Sequence, residues 1–192
     1  MKLKDMPAAA RRRISGYLLG IRHSSKVSFA SPPVVDGRWP QFNGPGTFKF
    51  GTRCTFKNFR LPQSVVAFAG GTLEVGDDTF MNDGVTICAA KSIKIGSHCM
   101  LADMVYLYDT DFHAVTPGTP VRKAPISIGN NVWVCANSMI LAGTTIGDHC
   151  VVAAGSVVTG DVPPKSIVAG SPARVLRTFE CRDDWIRSRE PE

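Results

Sequence analysis

The sequence predicts an all-β fold, a parallel β-helix in which the chain winds into a triangular coil of short strands. The main observation is a run of aliphatic residues at every sixth position: Ile128, Val134, Ile140, Ile146, Val152 and Val158. A period of six fits neither the turn of a helix nor the two-residue alternation of a simple strand, and is typical of a solenoid. Three such hexads form one coil of about 18 residues with a tight turn at each corner.

Two earlier sets of hexads extend the coil toward the N-terminus. They are Ile95, Leu101 and Leu107, preceded by Val75, Met81 and Ile87. The Gly-led corner segments 96–99, 129–132 and 147–150 superimpose in this register, which is the second observation. The step from Val75 to Ile95 is slightly longer than one coil, so a two-residue bulge is expected near 91–94. About five coils are therefore predicted between Phe50 and Gly160.

The segments outside the hexads complete the predicted organisation. Residues 1–49 are expected to form a basic N-terminal helix and an irregular lead-in, residues 50–177 the β-helix, and residues 178–192 a tail with a short helix at 182–189. Aromatic residues in 50–56 suit a degenerate first coil that caps the prism. A doubly wound parallel sheet is the rival fold. It requires amphipathic helices between the apolar segments, and the sequence has none.

Composition limits the class of protein. A chain of 192 residues with 44% hydrophobic content favours one domain, and its apolar stretches are shorter than a bilayer span requires. The net charge of +6 favours anionic phosphate groups on a small cofactor over nucleic acid, because no nucleic-acid-binding module appears. Basic residues 1–23 could touch a membrane surface, although an ordinary packing helix is the favoured interpretation. The apolar stretch after the arginines is too short for a signal peptide. A cytoplasmic location is expected.

Six cysteines lie in the chain, without any Cys-x-x-Cys pair that would suggest a zinc framework. Cys99 and Cys150 fall in one column of the coil with Val132 between them. Two rungs separate them by about 10 Å, which is beyond the reach of a disulfide. We therefore expect free, reduced cysteines that pack as small apolar residues.

One coil carries an insertion, from Asp109 to Lys123, since the step from Ile95 to Ile128 is nearly twice the length of a regular coil. Long loops on rigid scaffolds often carry function. This loop contains His113, which can accept a proton near neutral pH, and either Asp109 or Asp111 could orient its ring. The alternative is an ordinary surface histidine on a polar loop.

Four segments carry a resemblance to a known family. They are Asp111–His113, Pro125–Trp133, Val157–Pro164 and Ala169–Arg177. With them the chain resembles the hexapeptide-repeat acyltransferases, which have a left-handed parallel β-helix. It is most similar to the branch of maltose, galactoside and nodulation-type O-acetyltransferases and their polysaccharide-modifying relatives. The resemblance covers about half of the chain, from Val75 to Arg177.

The resemblance implies a homotrimer with active sites between neighbouring prisms. It implies that His113 deprotonates an acceptor hydroxyl, which attacks the thioester of acetyl-coenzyme A, while backbone N–H groups meet the oxyanion. Asn82 and Asp111 would bind the acceptor. Six residues would contact coenzyme A: Trp133, Ala136, Ala154, Thr159, Arg174 and Arg177. No metal is required.

Two departures from the family pattern concern specificity. Galactoside-type members present a pair of aspartates where this chain has Ala89 and Ala90, so free galactoside or maltose is not the expected acceptor. The family often has a lysine where Gly160 stands. The expected acceptor is a saccharide of a surface polysaccharide or its precursor.

Other functions stay open at this point. An antibiotic or another small natural-product alcohol is the alternative acceptor, and a non-catalytic scaffold is the alternative to an enzyme. The same β-helix also hosts a zinc carbonic anhydrase, but that site needs several histidines near one loop. His98 and His149 are instead expected to be solvent-facing turn residues.

Overall fold

The computed structural model describes Pro7, Ala10 and residues 26–188, which form a parallel β-solenoid with three faces. Face A holds β1 (Val27–Phe29), β4 (Thr47–Phe50), β7 (Thr72–Val75), β10 (Ser92–Ile95), β13 (Ile126–Ile128) and β16 (Thr145–Ile146). Face B holds β2 (Val34–Gly37), β5 (Thr55–Asn58), β8 (Phe80–Met81), β11 (Met100–Leu101), β14 (Trp133–Val134), β17 (Val151–Val152), β19 (Ser166–Gly170) and β20 (Ala173–Thr178). Face C holds β3 (Gln41–Asn43), β6 (Ser64–Ala67), β9 (Thr86–Ala89), β12 (Tyr106–Tyr108), β15 (Met139–Leu141) and β18 (Val157–Val158).

The interior is a set of columns in which each aliphatic residue packs on its equivalent in the next coil. Leu107 pairs with Ile140 on face C, and Val134 pairs with Val152 on face B. The six aliphatic residues of the C-terminal hexads are all exposed by 3% or less. Backbone hydrogen bonds run between coils, so every strand is paired while its alternate side chains fill the prism. The predicted solenoid is confirmed.

The prism has about six turns instead of five, because a complete coil precedes Phe50. Val27 of β1 pairs with Phe48, and Phe42 of β3 pairs with Val65. These separations are longer than a regular coil and the inward positions are largely aromatic, so the aliphatic period does not show in the sequence. The five aromatic rings of this end pack edge-to-face or stacked: Phe29, Phe42, Phe48, Phe50 and Phe56. The predicted irregular lead-in is therefore wrong from Val27 onward.

The C-terminal end also differs from the prediction. Strand β20 turns back antiparallel to β19, and residues 179–188, here called the tail, contain no helix. The predicted helix at 182–189 is therefore wrong over its described part. The predicted N-terminal helix at 1–23 lies outside the described residues except for Pro7 and Ala10. Within the described residues, no helix has the length and apolar character needed to cross a bilayer.

All six cysteines lie in the described range and are free, as predicted. Cys99 and Cys150 are both fully buried. Burial raises the pKa of the Cys99 thiol to about 12, and it does the same for Cys54. The thiols of Cys54 and Cys99 are therefore uncharged at neutral pH, and both residues pack as apolar side chains.

Candidate active site

The insertion leaves the prism at the edge between faces C and A, after β12 and before β13. A bridge between Thr110 and Lys123 closes its base. Asp109, fully buried at this base, accepts hydrogen bonds from the backbone amides of Ala90, Lys91 and Ser92 at 2.6–2.8 Å. Its carboxylate is committed to the corner at 90–91 between β9 and β10. Strand β10 pairs with β7 and β13 in continuous register, so the structure has a corner here and not the bulge predicted near 91–94. Asp109 therefore holds the loop base, and the hypothesis that it orients His113 is wrong.

His113 lies on the exposed part of this loop. Its backbone amide donates to the carbonyl of Asp111 at 2.6 Å, and the amide of Asp111 donates to the carbonyl of Arg122 at 3.1 Å. Phe112 between them has a positive φ of 59°. In residues 26–188, no hydrogen bond joins the His113 ring to a carboxylate. Asp111 is thus close to His113 through the backbone, and its side chain remains available.

An aromatic contact fixes the position of the loop. The Phe112 ring lies edge-on to Tyr108 at 5.4 Å and to Phe68 at 6.5 Å between centroids. Tyr108 projects outward from face C because Leu107 points into the core. Aromatic pairs of this geometry stabilise by about 0.5–1.5 kcal/mol each. The residue preceding His113 is therefore anchored to the prism while the imidazole itself stays exposed.

A second group of predicted residues lies on a different edge, between faces B and C. Asn82 follows β8, Ala136 follows β14 and Ala154 follows β17. Ala136 and Ala154 are one coil apart, since the amide of Gly155 donates to the carbonyl of Ala136 at 2.9 Å. Small side chains leave room along this edge. Within one chain, the structure does not bring His113 and Asn82 to the same edge.

Beside Asn82 lies an ionic cluster that the sequence analysis missed. Asp83 is 7% exposed and accepts the amides of Arg60 and Leu61 at 2.8 and 3.1 Å. The Arg60 guanidinium also bridges Asp83 and Asp103 of the following coil. Burial alone would raise the pKa of Asp83, but the two amides and the guanidinium outweigh it and the pKa is lowered. The only signal in the sequence is a longer corner after β5, at 59–63.

Gln63 continues this cluster into the interior. It is fully buried, and its side-chain amide donates to the carbonyls of Met81 and Asn82 at 3.1 and 3.0 Å. It also accepts a hydrogen bond from the buried Asn58. These hydrogen bonds from the interior hold the backbone of Asn82 in place. The side chain of Asn82 has no hydrogen bond within the described residues.

Trp133 projects outward from β14 on face B and is 39% exposed. The guanidinium of Arg187, from the tail, lies 5.9 Å from the centre of its ring. His149 is 5% exposed and shares a hydrogen bond of 2.8 Å with Asn131, so the prediction that it faces solvent is wrong. The tail covers this corner and removes it from water. His98 is partly exposed and lies 3.7 Å from Asp78, which is consistent with a turn residue.

The predicted phosphate-binding residues lie at the C-terminal end of the prism. Thr159, Gly160 and Arg174 line one pocket of about 210 Å³. Arg177 is exposed on β20 outside that pocket. Lys165, which lies close to Gly160 in the sequence, forms an ion pair of 2.8 Å with Asp183. In residues 26–188, no three His, Cys, Asp or Glu side chains converge on a point where they could hold a metal ion.

Comparison with known proteins places the chain in a family. Residues 125–160 match the model described as bacterial transferase hexapeptide (six repeats). A galactoside O-acetyltransferase of Escherichia coli K12 is 37% identical over 117 residues, which are 59% of this chain and 58% of that protein. A second protein of that organism, provisionally named as a colanic acid biosynthesis acetyltransferase, is 30% identical over 78% of this chain and 80% of its own length. For the first three curated relatives, the matched part covers 58%, 64% and 55% of their length.

Solved structures agree with this placement. A hexapeptide-repeat acetyltransferase of Vibrio cholerae, complexed with acetyl coenzyme A, matches with a TM-score of 0.57 and 27% identity over 93% of this chain and 81% of that one. A galactoside acetyltransferase in complex with coenzyme A shares the fold, with a TM-score of 0.57 and 24% identity over 96% of this chain and 100% of that chain. The chain belongs to the hexapeptide-repeat acyltransferase family, in the branch of galactoside O-acetyltransferases and polysaccharide-modifying acetyltransferases.

Proposed function

We propose that this protein is an O-acetyltransferase that moves the acetyl group of acetyl-coenzyme A to a hydroxyl of a saccharide. The observation that carries the proposal is the loop that holds an exposed imidazole, His113, outside an otherwise continuous prism. Support comes from the relatives named galactoside O-acetyltransferase and from the 27% identical structure that contains acetyl coenzyme A. The winding is proposed to be left-handed, as in the family.

His113 acts as the general base in this proposal. One ring nitrogen of His113 takes the proton of the acceptor hydroxyl while the hydroxyl oxygen attacks the thioester carbonyl. The new carbon–oxygen bond forms, the carbon–sulfur bond breaks, and the imidazolium returns the proton to the leaving thiolate of coenzyme A. Asp111 orients the ring or binds the acceptor. Backbone N–H groups stabilise the oxyanion, since the small residue Ala136 offers no hydroxyl for that purpose.

A homotrimer completes the site. His113 leaves the prism at the edge between faces C and A, and Asn82 lies at the edge between faces B and C. One chain therefore does not complete the predicted constellation. In a ring of three prisms, the loop of one subunit can approach the edge of its neighbour that carries Asn82.

Acetyl-coenzyme A lies along the edge between faces B and C in this proposal. The pantetheine arm lies along Ala136 and Ala154 with Trp133 beside it. The adenosine and its phosphates rest at the pocket of Thr159 and Arg174, with Arg177 close by, because guanidinium groups bind phosphate in a bidentate manner. The free thiols agree with a reducing, cytoplasmic location, where acetyl-coenzyme A is available.

The acceptor is proposed to be a saccharide of a surface polysaccharide or its precursor. Ala89 is fully buried, and the amide of Ala90 donates to Asp109. Neither Ala89 nor Ala90 provides a carboxylate that could accept a hydrogen bond from a monosaccharide. The carboxylates and the guanidinium beside Asn82 belong to Asp83, Asp103 and Arg60 instead. The acceptor class is therefore expected to differ from a free galactoside.

The test detects the acetylated product by mass spectrometry with acetyl-coenzyme A and a panel of saccharide and antibiotic alcohols. His113→Ala is expected to lower the rate by about 10²–10⁴-fold. His98→Ala, a histidine outside the loop, is the matched control and should retain the wild-type rate. Equal rates for wild type and His113→Ala would contradict the role of the loop. If only antibiotic alcohols react, the proposed saccharide acceptor is wrong and a small natural-product alcohol takes its place. If the protein binds no coenzyme A, it is a non-catalytic scaffold.

A further inference from the structure

One buried side chain of the prism, Asn131, makes two hydrogen bonds to the backbone of the tail. Asn131 is 2% exposed and lies at the corner before Trp133. Its side-chain amide donates to the carbonyl of Trp185 at 2.8 Å, and its side-chain oxygen accepts the amide of Arg187 at 2.9 Å. Both polar ends of this amide are thus bonded to the tail backbone. The tail, which is distant from Asn131 in the sequence, is thereby held at a fixed register on the prism.

A neighbouring coil fixes Asn131 itself. Its side-chain nitrogen lies 2.8 Å from Nδ1 of His149, one coil further along the prism. The His149 ring lies 6.1 Å from the Trp185 ring, and the carbonyl of His149 accepts a hydrogen bond of 3.4 Å from the Arg187 guanidinium. The tail is therefore docked by several contacts on two coils.

Arg187 is the tail residue that reaches the candidate site. Its guanidinium lies 4.9 Å from the Trp185 ring and 5.9 Å from the Trp133 ring. Its Nε atom is buried without a hydrogen-bond partner, and within residues 26–188 no carboxylate forms an ion pair with it. Burial lowers the pKa of Arg187. The two indole rings, together with the carbonyl of His149, are thus the groups that stabilise this cation.

Arg182, in the same tail, has different contacts from Arg187. Its guanidinium forms a bidentate pair with the exposed Asp184, at 2.9 and 2.5 Å, and among the described residues it lies over no indole ring. An exposed pair of this kind contributes little to stability. The tail therefore contains two arginines, of which one is turned toward Trp133 and the other toward solvent.

We propose that Arg187 is a positioning residue for the donor site, which holds the indole of Trp133 in the orientation that flanks the pantetheine arm of acetyl-coenzyme A. The inference rests on the proposed function, in which Trp133 contacts the donor. Without the cation, the 39% exposed indole keeps its attachment to β14 but loses the group that lies against its face. The tail thereby becomes part of the wall of the donor site.

The experiment measures KM for acetyl-coenzyme A and kcat for wild type, Arg187→Met, Arg187→Lys and the control Arg182→Gln. Arg187→Met keeps the length of the side chain and removes the cation. We expect its KM to rise by about 5- to 30-fold, the range that corresponds to a partly buried cation–π contact, with a smaller change in kcat. Arg187→Lys should recover part of this loss, and Arg182→Gln should equal wild type.

A spectroscopic readout follows the indole directly. The chain has three tryptophans, and Trp39→Phe leaves only Trp133 and Trp185, which both contact Arg187. In that background, Arg187→Met should shift the emission to the red and increase quenching by acrylamide, and coenzyme A should protect the indoles less than it does with Arg187 present. A merely structural loss elsewhere in the prism would not change these two indoles selectively.

The outcomes separate the two proposals. If wild type binds coenzyme A and Arg187→Met has the same KM, or if Arg182→Gln raises KM equally, the positioning role is wrong and the proposed function stands. If Arg187→Met lowers kcat and thermal stability while KM is unchanged, Arg187 is structural only. If wild type itself binds no coenzyme A, the proposed function fails and the inference fails with it.

Discussion

The carboxylate of Asp109 accepts the backbone amide of Lys91 at 2.8 Å and so joins the first residue of the loop to the corner between β9 and β10, one coil earlier. The amides of Ala90 and Ser92 bind the same carboxylate. The corner at 90–91 and the insertion therefore form one structural unit. His113 lies on this unit, so its position depends on the buried carboxylate of Asp109.

Asp109→Ala is expected to destabilise the protein by about 3–5 kcal/mol, because it leaves three backbone amides without their acceptor. Urea denaturation measures the free energy of unfolding. Asp111→Ala, a change of a partly exposed carboxylate in the same loop, is the control and should cost less than about 1 kcal/mol. A loss for Asp109→Ala as small as that of the control would contradict the structural role.

The core column of face C predicts a second stability effect. Leu107 is fully buried between Ile87 and Ile140, so Leu107→Ala should lower the free energy of unfolding by about 2–5 kcal/mol through lost burial and a cavity. Val115, which is 78% exposed in the loop, is the matched aliphatic control. Val115→Ala should change stability by less than about 0.5 kcal/mol. Equal effects of the two substitutions would refute the assignment of Leu107 to the core.

The ionic cluster at Asp83 predicts a pH dependence of stability. Its pKa in the folded protein is lowered from 3.8, so the charged form favours folding. This contribution is complete above pH values near the unfolded pKa and disappears as the pH falls through the lower folded pKa. Asp83→Asn should therefore be less stable than wild type at pH 7, with a difference that shrinks below about pH 4. Thermal melting across pH 2–8 measures it, and a constant difference would exclude this origin.

The buried thiols predict a pattern of chemical reactivity. The pKa values of Cys54 and Cys99 are raised to about 12 by burial, so almost no thiolate is present at pH 8. Both should resist alkylation by iodoacetamide in the native protein and react after unfolding. Peptide mass spectrometry identifies the modified cysteines. Rapid labelling of either residue in the folded chain would show that its coil opens readily.

The C-terminal half of the fold was predictable because its signal is local and regular. Residues Ile128 to Val158 repeat at a constant spacing, and each of the six aliphatic positions is buried as expected. The first coil was missed because Phe48 and Phe56 pair with Val27 and Val35 across longer corners, which hides the period. The tail was assigned a helix from its local composition. In the structure, contacts with Asn131 override that local preference.

The candidate site was predictable only in part. The insertion and His113 were found because they interrupt a regular spacing. The ionic cluster of Arg60, Asp83 and Asp103 was not found, since its members lie in three different coils and follow no common motif. The sequence leaves open whether Asp109 or Asp111 orients His113, because a position beside the loop does not reveal that the Asp109 carboxylate points back to the corner between β9 and β10.

By itself, the sequence determined the winding of the chain, the buried columns and the place of the insertion. These properties follow from side-chain period and length, which act between adjacent residues and coils. The tertiary structure alone decided which edge each site residue occupies, that Asp109 ties the loop to the corner between β9 and β10, and that Arg187 reaches Trp133. Those contacts join residues 17 to 56 positions apart through single hydrogen bonds and ring contacts, whose partners a local pattern does not specify.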